Sequence, residues 1–349
     1  MMREWDKARV LVVGGAGFVG SNLVKRCLQE GVREIVIVDN LLSSEPENVS
    51  QSDRVVFWQG SIADDAILAK IQDQFDYVFH LATYHGNQSS IHDPLADHEN
   101  NLLTTLKLFN WIRDFQKVKK VVYSGAGCAV AEKTFDDARP TKEDDPISLE
   151  MDSPYSISKI VGEYYAVYFY RQHGVSTVRA RFQNVYGPGE VLGAGRWRGT
   201  PATVWRNVTP TFIYKALKGL ELPVENKGIA SRDFIYVDDI VEGLMLCALR
   251  GDPGEVYNLA SGVETTIKEL ADLINQLTDN PSPVKYLPGR DWDRSGRRVG
   301  CIEKSREQLG FQAETTLQDG LKKTVKWTKT HLVFIEKTIR KHDRFLPLL

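Results

Sequence analysis

An apolar run that ends directly in a cluster of glycines near the amino terminus constrains this chain most. Val10–Val13 contains only valine and leucine, and Gly14, Gly17 and Gly20 follow it. The run predicts a buried strand. Glycines at this spacing permit a tight turn, close approach of the backbone to a pyrophosphate and close packing of the next helix. The segment therefore predicts a strand, a turn and a helix whose amino terminus faces a bound anion.

A carboxylate closes the next predicted strand. Ile35–Val38 is apolar, and Asp39 follows it about 20 residues beyond the glycine turn. A carboxylate there accepts from a ribose hydroxyl and repels a 2′-phosphate, and no arginine occurs in residues 40–44. The pair of motifs favours NAD over NADP. The alternative is an ordinary glycine-rich turn with a surface aspartate.

Short β-branched runs continue to alternate with longer amphipathic stretches. Further strands are predicted at Val55–Trp58, Tyr77–Phe79, Val121–Tyr123, Val178–Phe182 and Val256–Leu259. Helices are predicted at Ser21–Glu30 before Gly31, Ser156–His173 before Gly174, Thr266–Leu277 and Leu317–Lys329. The alternation predicts an α/β protein with a Rossmann-type doubly wound parallel sheet.

Residues 187–206 break this pattern. They are rich in glycine, proline, arginine and tryptophan, which predicts a long functional loop. We expect residues 1–186 to form the dinucleotide-binding domain, with 233–260 returning to it. Residues 187–349 are expected to form mainly a smaller mixed α/β substrate-binding lobe.

Charge and cysteine usage exclude several classes of protein. Lys and Arg total 44 and Asp and Glu total 46, a net charge of −2 that gives no reason to expect nucleic-acid or membrane binding. The four cysteines, Cys27, Cys128, Cys247 and Cys301, lie far apart, so neither a disulfide framework nor a metal site is expected. No signal peptide or membrane span is predicted, and a cytoplasmic location is expected.

Tyr155 and Lys159 stand four residues apart on one face of a predicted helix. A phenol has an ordinary pKa of about 10, and a neighbouring ammonium is expected to lower it. Such a tyrosine could pass a proton to and from a sugar hydroxyl while a nicotinamide takes the hydride.

Together these motifs resemble the extended short-chain dehydrogenase/reductase superfamily, and within it the NAD-dependent nucleotide-sugar epimerase/dehydratase family. The resemblance rests on GGAGFVGSNL at 14–23, HLAT at 80–83, Asn101, PYSISK at 154–159, RFQNVYGPG at 181–189 and RDFIYVDD at 232–239. It implies a Rossmann domain that binds NAD and a carboxy-terminal lobe that holds a nucleotide-diphosphate sugar, with UDP expected. It also implies a homodimer formed through helices, and an apolar face with Ile160, Tyr164, Val167 and Tyr168 is consistent with that, although core packing explains this face equally well.

The resemblance assigns residues to the two ligands. The implied cofactor contacts are Gly14, Gly17, Phe18, Val19, Gly20, Asp39, Asn40, Ser61, Ile62, Leu81, Ala82, Thr83, Asn101, Tyr155 and Lys159. The implied substrate contacts are His85, Asn184, Asn207, Val208, Arg232, Arg290 and Asp293.

The sequence departs from the family at the residue that usually hydrogen-bonds the reacting hydroxyl. Ala126 stands in place of the usual Ser or Thr, so Ser124, Cys128 or Thr83 must replace it or the chemistry is altered. We expect Ser124 and Cys128 to join Tyr155 and Lys159 as catalytic residues. Gly127 and Cys128 also replace the Asp-Glu pair of 4,6-dehydratases, which disfavours dehydration.

Two polar segments are expected to face the sugar. His85, titrating near neutrality, is either a proton shuttle or hydroxyl donor, or a solvated loop histidine. Arg196, Arg198 and Arg206 could receive the carboxylate of a uronic-acid sugar, or the diphosphate. Glu225 occupies a place where an aromatic residue often abuts the base, which puts uridine in question.

The leading functional hypothesis is epimerisation at a ring carbon, C4, of a nucleotide-diphosphate hexose for surface polysaccharide (lipopolysaccharide) biosynthesis. One alternative is dehydration or decarboxylation through a 4-keto intermediate. Another is a non-catalytic NAD-binding sensor.

Overall fold

The computed structural model describes residues 5–131, 134–136, 139–291, 293 and 296–346. Its main sheet is parallel and contains, in chain order, β1 (Arg9–Val13), β2 (Glu34–Asp39), β3 (Val55–Gln59), β4 (Tyr77–His80), β5 (Lys120–Ala126), β6 (Thr177–Phe182) and β10 (Val256–Leu259). All the predicted strands are present, with ends shifted by at most three residues. The central strands are buried because helices cover both faces, as in β1, where Val10–Val13 is at most 1% exposed, whereas the edge strand β3 is partly exposed.

The spatial order of the sheet is β10-β6-β5-β4-β1-β2-β3. Val13 pairs with Val38 on one side and with His80 on the other, so three strands end together. From β1 the chain continues to β2 on one side, and from β4 it continues to β5 on the opposite side. The carboxyl ends of β1 and β4 therefore form the topological switch point, where ligands bind in open α/β sheets.

Helices cover both faces of this sheet. They are α1 (Phe18–Gln29), α2 (Asp65–Leu68), α3 (Asn87–His92), α4 (Pro94–Asp97), α5 (Thr104–Ile112), α6 (Pro154–His173), α7 (Val208–Leu217), α8 (Val237–Arg250), α9 (Ile267–Thr278), α10 (Leu317–Thr330) and α11 (Leu332–Arg340). The prediction that Ser21 opens the first helix is wrong. Gly17 is the extended cap residue, and the Ser21 hydroxyl donates to the Phe18 carbonyl inside the helix. Gly31 and Gly174 adopt the left-handed conformations predicted for them.

A second lobe is built mainly from the later part of the chain. One small sheet contains β7 (Asn184–Tyr186), β9 (Ser231–Tyr236) and β11 (Glu264–Thr266), and another pairs β8 (Leu222–Glu225) with β12 (Val284–Leu287). The predicted loop at 187–206 is confirmed, since only the short turn Pro201–Thr203 is regular. Although α8 follows β9 of this lobe in the sequence, it packs against α1, which covers the main sheet. Arg26 of α1 and Glu242 of α8 form an ion pair of 2.7 Å.

The face of α6 predicted for dimerisation is only partly exposed. Ile160 is 4% exposed and packs with Ala126, as the core-packing alternative predicts for this residue. Tyr164 and Tyr168 are more than half exposed, and the side chain of Ile157 is also exposed. No helix among the described residues is long and apolar enough to cross a membrane.

Candidate active site

The glycine turn leaves a cradle at the carboxyl end of β1. Gly14 has φ +87°, and a Cβ there would lie 2.5 Å from the backbone nitrogen of Ala82. A Cβ on Gly20 would lie 2.2 Å from the Gly14 carbonyl oxygen. Gly17 caps α1 without a side-chain hydrogen bond, so the amides of the first turn face the cradle. These features fit a pyrophosphate approached closely by backbone.

Asp39 lies at the end of β2 beside this cradle. Its carboxylate accepts from the amides of Ala16, at 3.0 Å, and Leu41, at 2.9 Å, and from the Ser44 hydroxyl at 3.1 Å. These bonds fix its orientation. Burial nevertheless raises the pKa of Asp39 above its ordinary value. The position suits a ribose hydroxyl, as predicted.

A single cavity of about 990 Å³ extends from the glycine turn to the second lobe. It is lined by Gly14, Gly17, Phe18, Val19, Gly20, Asp39, Asn40, Ser61, Ile62, Leu81, Ala82, Thr83, His85, Ser124, Cys128, Tyr155, Lys159, Asn184, Asn207, Val208, Arg232, Arg290 and Asp293. The structure therefore brings all the predicted site residues except Asn101 to one cavity.

Asn101 lies behind the cavity wall, and the prediction that it contacts the dinucleotide is corrected. Its Oδ1 accepts from the Tyr84 amide at 2.7 Å and from the Thr83 hydroxyl at 3.1 Å, while its Nδ2 donates to Asp97 and Ser158. Asn101 thus positions the segment after β4.

Tyr155 and Lys159 lie on the first two turns of α6, which Pro154 and the Ser153 cap begin. Lys159 Nζ donates to the Ser124 carbonyl at 2.9 Å and lies 6.0 Å from the centre of the Tyr155 ring. Burial lowers the pKa of Lys159 to about 8 and raises the pKa of Tyr155 well above its ordinary value. The expected acidification of the phenol is therefore wrong for the protein by itself, because burial outweighs the nearby ammonium.

The three candidates to replace the missing hydroxyl at Ala126 differ in their surroundings. The Ser124 hydroxyl donates to the His80 carbonyl at 3.1 Å and lies 3.3 Å from Lys159 Nζ, so it is held against the strand. Cys128 packs beside Tyr155 in a cluster with Ala126. Thr83 lines the cavity, and its hydroxyl donates to Asn101 Oδ1 at 3.1 Å. That one of the three residues replaces the missing hydroxyl stays a prediction.

His85 is held by a hydrogen-bond network that the sequence did not reveal. Its Nε2 lies 3.2 Å from Asn207 Oδ1, and Asn207 Nδ2 donates to Glu190 Oε1. Burial lowers the pKa of His85 to about 4 and raises the pKa of Glu190 to about 7. The prediction that His85 titrates near neutrality is therefore wrong, as is the solvated-loop alternative. Glu190 directly follows the GPG of the RFQNVYGPG motif, which is the one signal that could have pointed to it.

The predicted residues near the nucleotide are linked by ion pairs. Arg290 Nε lies 2.5 Å from Glu225 Oε2, which gives Glu225 a partner in the place where an aromatic residue was expected. Arg232 Nη2 lies 3.4 Å from Asp293 Oδ2, and Arg298 lies 3.6 Å from the same carboxylate. Asn184 and Val208 line this part of the cavity.

The arginines of the 187–206 loop bind the cofactor-side loop after β2. Arg196 donates to the Asn40 carbonyl at 2.9 Å, Arg198 to the Ser43 hydroxyl at 2.7 Å, and Arg206 to the Ser43 carbonyl at 3.0 Å. Both Nη atoms of Arg206 are taken by backbone carbonyls, the second by Ala194 at 2.6 Å. Arg198 Nε and Nη2 and Arg206 Nε nevertheless have no partner among the described residues, so the hypothesis that these arginines receive a substrate carboxylate, or the diphosphate, stays a prediction.

Comparison with known proteins agrees with this geometry. The chain belongs to the NAD dependent epimerase/dehydratase family, whose model matches residues 10–260. NAD is accordingly the cofactor, as predicted.

Solved and curated relatives cover nearly the whole chain. It is 60% identical to the Bordetella bronchiseptica enzyme WbmF, crystallised with NAD⁺ and UDP, over 98% of each chain, with a TM-score of 0.90. A UDP-glucose 4-epimerase of Mycolicibacterium smegmatis is 31% identical over 91% of this chain and 98% of the relative. UDP-glucuronic acid decarboxylase 1 of Danio rerio is 28% identical over 95% of this chain and 75% of the relative.

Proposed function

We propose that this protein is an epimerase that inverts C4 of a nucleotide-diphosphate hexose, with UDP-hexoses as its substrates. The observation that carries the proposal is the continuous cavity in which Tyr155 lies between the glycine turn and Arg232. Similarity to WbmF, crystallised with UDP, and to a UDP-glucose 4-epimerase supports the choice of nucleotide and reaction.

The chain supplies the acid and base for this reaction. The Tyr155 phenolate takes the proton of the C4 hydroxyl, and the phenol that forms later returns it. Bound NAD supplies a reversible acceptor for the C4 hydride. Lys159, anchored on Ser124, keeps its ammonium beside the Tyr155 ring.

The second lobe anchors the diphosphate and lets the sugar turn. Asn207 caps α7 without a side-chain hydrogen bond to the helix, so the amide of Val208 and its neighbours face the cavity. Arg232 lines the same cavity and suits a diphosphate by its guanidinium geometry. The Asn207 side chain is instead engaged by His85 and Glu190.

Purified protein incubated with UDP-, dTDP- and GDP-hexoses tests the proposal. We expect C4 isomers to interconvert with one nucleotide series, accompanied by transient absorbance of reduced cofactor. Neither signal with any sugar would overturn it.

Dehydration and decarboxylation through the 4-keto sugar are the second candidate, favoured by similarity to a UDP-glucuronic acid decarboxylase. Gly127 and Cys128 provide no carboxylate for eliminating water, which weighs against dehydration. Release of carbon dioxide or accumulation of a keto-sugar would favour this candidate over epimerisation.

We further propose a homodimer formed through α6, supported by the exposed side chains of Ile157, Tyr164 and Tyr168. Sedimentation of the wild type and of Tyr168→Glu tests it, with a dimer expected only for the wild type. Surface polysaccharide assembly in the cytoplasm is the proposed setting of the reaction.

A further inference from the structure

His85 lines the cavity and binds the protein through one of its two ring nitrogens. Its ring meets the Tyr155 ring edge-on, with the centres 6.2 Å apart. Nε2 is occupied by Asn207, and Nδ1 makes no hydrogen bond to any residue that the structure describes. The imidazole therefore shares a part of the cavity with the phenol that handles the sugar hydroxyl.

Glu190 fixes which nitrogen of this imidazole bears the proton. An ionised carboxylate only accepts hydrogen bonds, so Asn207 must turn its NH₂ toward Glu190 and its oxygen toward His85. Nε2 then carries the hydrogen, and Nδ1 keeps its lone pair. Glu190 is 5% exposed, and its second oxygen has no partner among the described residues.

The charges around this network keep His85 in its basic form. Arg206, Arg198 and Lys159 face the imidazole and act with burial to lower the pKa of His85 to about 4. Arg206 is the charged group that acts on Glu190 to lower its pKa, but burial has the larger effect and raises the pKa of that carboxyl to about 7. Near neutrality the imidazole is neutral, and Glu190 is poised between its two protonation states.

Tyr155 alone satisfies the proton balance of oxidation at C4, so that step needs no proton transfer by His85. A ketone at C4 makes the hydrogens on the neighbouring carbons acidic. We propose that His85 is a catalytic base that removes and returns the proton on a carbon next to the C4 carbonyl. This inference rests on the proposed function, which supplies the ketone, and extends it to exchange or inversion at C3 or C5.

The step balances without a further reagent. The C–H bond breaks and its proton moves to Nδ1, while its electron pair forms the C=C bond of an enolate and the carbonyl π electrons move to oxygen. The Tyr155 phenol can donate to that oxygen. Ionised Glu190 stabilises the imidazolium through Asn207. Return of the proton, or of a deuteron exchanged from solvent, restores the ketone before C4 is reduced.

Turnover in D₂O tests the proposal. We would incubate the protein with UDP-glucose, UDP-N-acetylglucosamine and UDP-glucuronate and locate deuterium in the recovered sugars by NMR. Deuterium is expected at C3 or C5 with at least one of them. In His85→Asn, deuterium incorporated per hydride transferred is expected to fall about 10²-fold. His98→Asn, at an exposed histidine, is the matched control and is expected to retain the wild-type ratio.

Glu190→Gln and Glu190→Asp test the positioning role of the carboxylate. Incorporation by the wild type is expected to rise with pH through about 7 as Glu190 ionises. Glu190→Gln should lose this rise, and Glu190→Asp should restore it. A merely structural role would change stability in both variants without removing the rise.

The outcomes separate this inference from the proposed function. Reduced cofactor that appears with a sugar and disappears in Tyr155→Phe, without deuterium at C3 or C5, would overturn the role of His85 alone. Unchanged incorporation in His85→Asn would assign the base to another group and overturn it as well. No reduction of NAD by any of the sugars would overturn both.

Discussion

The cofactor wall and the substrate wall of one cavity are assembled in different ways. On the cofactor wall, Gly14 and Asp39 belong to one βαβ unit, and the Asp39 carboxylate accepts from the amide of Ala16 in the turn. On the substrate wall, His85 meets Asn207 across 122 residues of chain. The first wall is specified by local backbone conformation, and the second exists only once the two lobes have packed together.

Replacement of Tyr155, where the two walls meet, is expected to have the largest effect. Tyr155→Phe should lower turnover about 10²- to 10⁴-fold, because the proton transfer loses its acid and base. Mass spectrometry of the purified variant should still find NAD, since the ring and Lys159 remain.

Tyr164→Phe is the matched control for that change, since it removes an exposed hydroxyl from the same helix. Undiminished turnover in Tyr155→Phe would remove this residue from the mechanism and favour the non-catalytic sensor.

A methyl group on the glycine turn tests whether the cofactor wall depends on close backbone approach. Gly14→Ala adds a left-handed strain of about 1–2 kcal/mol and a clash with the Ala82 backbone. We expect NAD retention to fall about 10²-fold or more, as measured by cofactor content and affinity.

Gly31→Ala provides the comparison for this variant. Gly31 has φ +86°, yet a Cβ there would meet no atom within 4 Å. The Gly31→Ala variant should have a lower free energy of unfolding in urea because of backbone strain alone, and it should retain NAD. Equal cofactor loss in both variants would show that contact with Ala82 is irrelevant.

The selectivity of the cofactor wall for NAD over NADP is expected to depend on the charge of Asp39. Asp39→Asn should weaken NAD binding about tenfold, because a hydrogen bond to a charged group contributes about 1.5–3 kcal/mol. The substitution should also reduce the preference for NAD over NADP, because it removes the repulsion between the carboxylate and the 2′-phosphate of NADP. Titration of both cofactors measures this, with exposed Asp65→Asn as the control. An unaltered ratio of the two affinities would rule out Asp39 as the discriminating group.

The stability of the protein is expected to depend on pH through two histidines: His80, which is buried at the end of β4, and His85 on the substrate wall. Burial lowers the pKa of His80 to about 3 and that of His85 to about 4. Below the unfolded pKa of about 6.5 the unfolded chain takes up protons that the folded protein does not, so stability falls as pH falls. Each histidine contributes about 1.4 kcal/mol per pH unit in that window.

His80→Gln should reduce this loss. Between pH 7 and pH 5, urea unfolding should show the wild type losing about 2 kcal/mol more than the variant. Equal losses would mean that His80 is protonated in the folded protein.

The sequence alone determined the main sheet, the glycine turn, Asp39 and the Tyr155–Lys159 pair. These features depend on short-range rules: strand periodicity, the conformations open to glycine, and the spacing of side chains on a helix. Even there, the start of α1 was placed too late, because Ser21 resembles a cap while Gly17 adopts the extended conformation that a cap requires.

Tertiary structure alone decided the ionisation states and the network around His85. A pKa depends on how deeply a group is buried and which charges surround it, and these come from segments far apart in the chain. The arginines at 196, 198 and 206 likewise show no target in the sequence, because the carbonyls near Ser43 that they bind are brought to them only by folding.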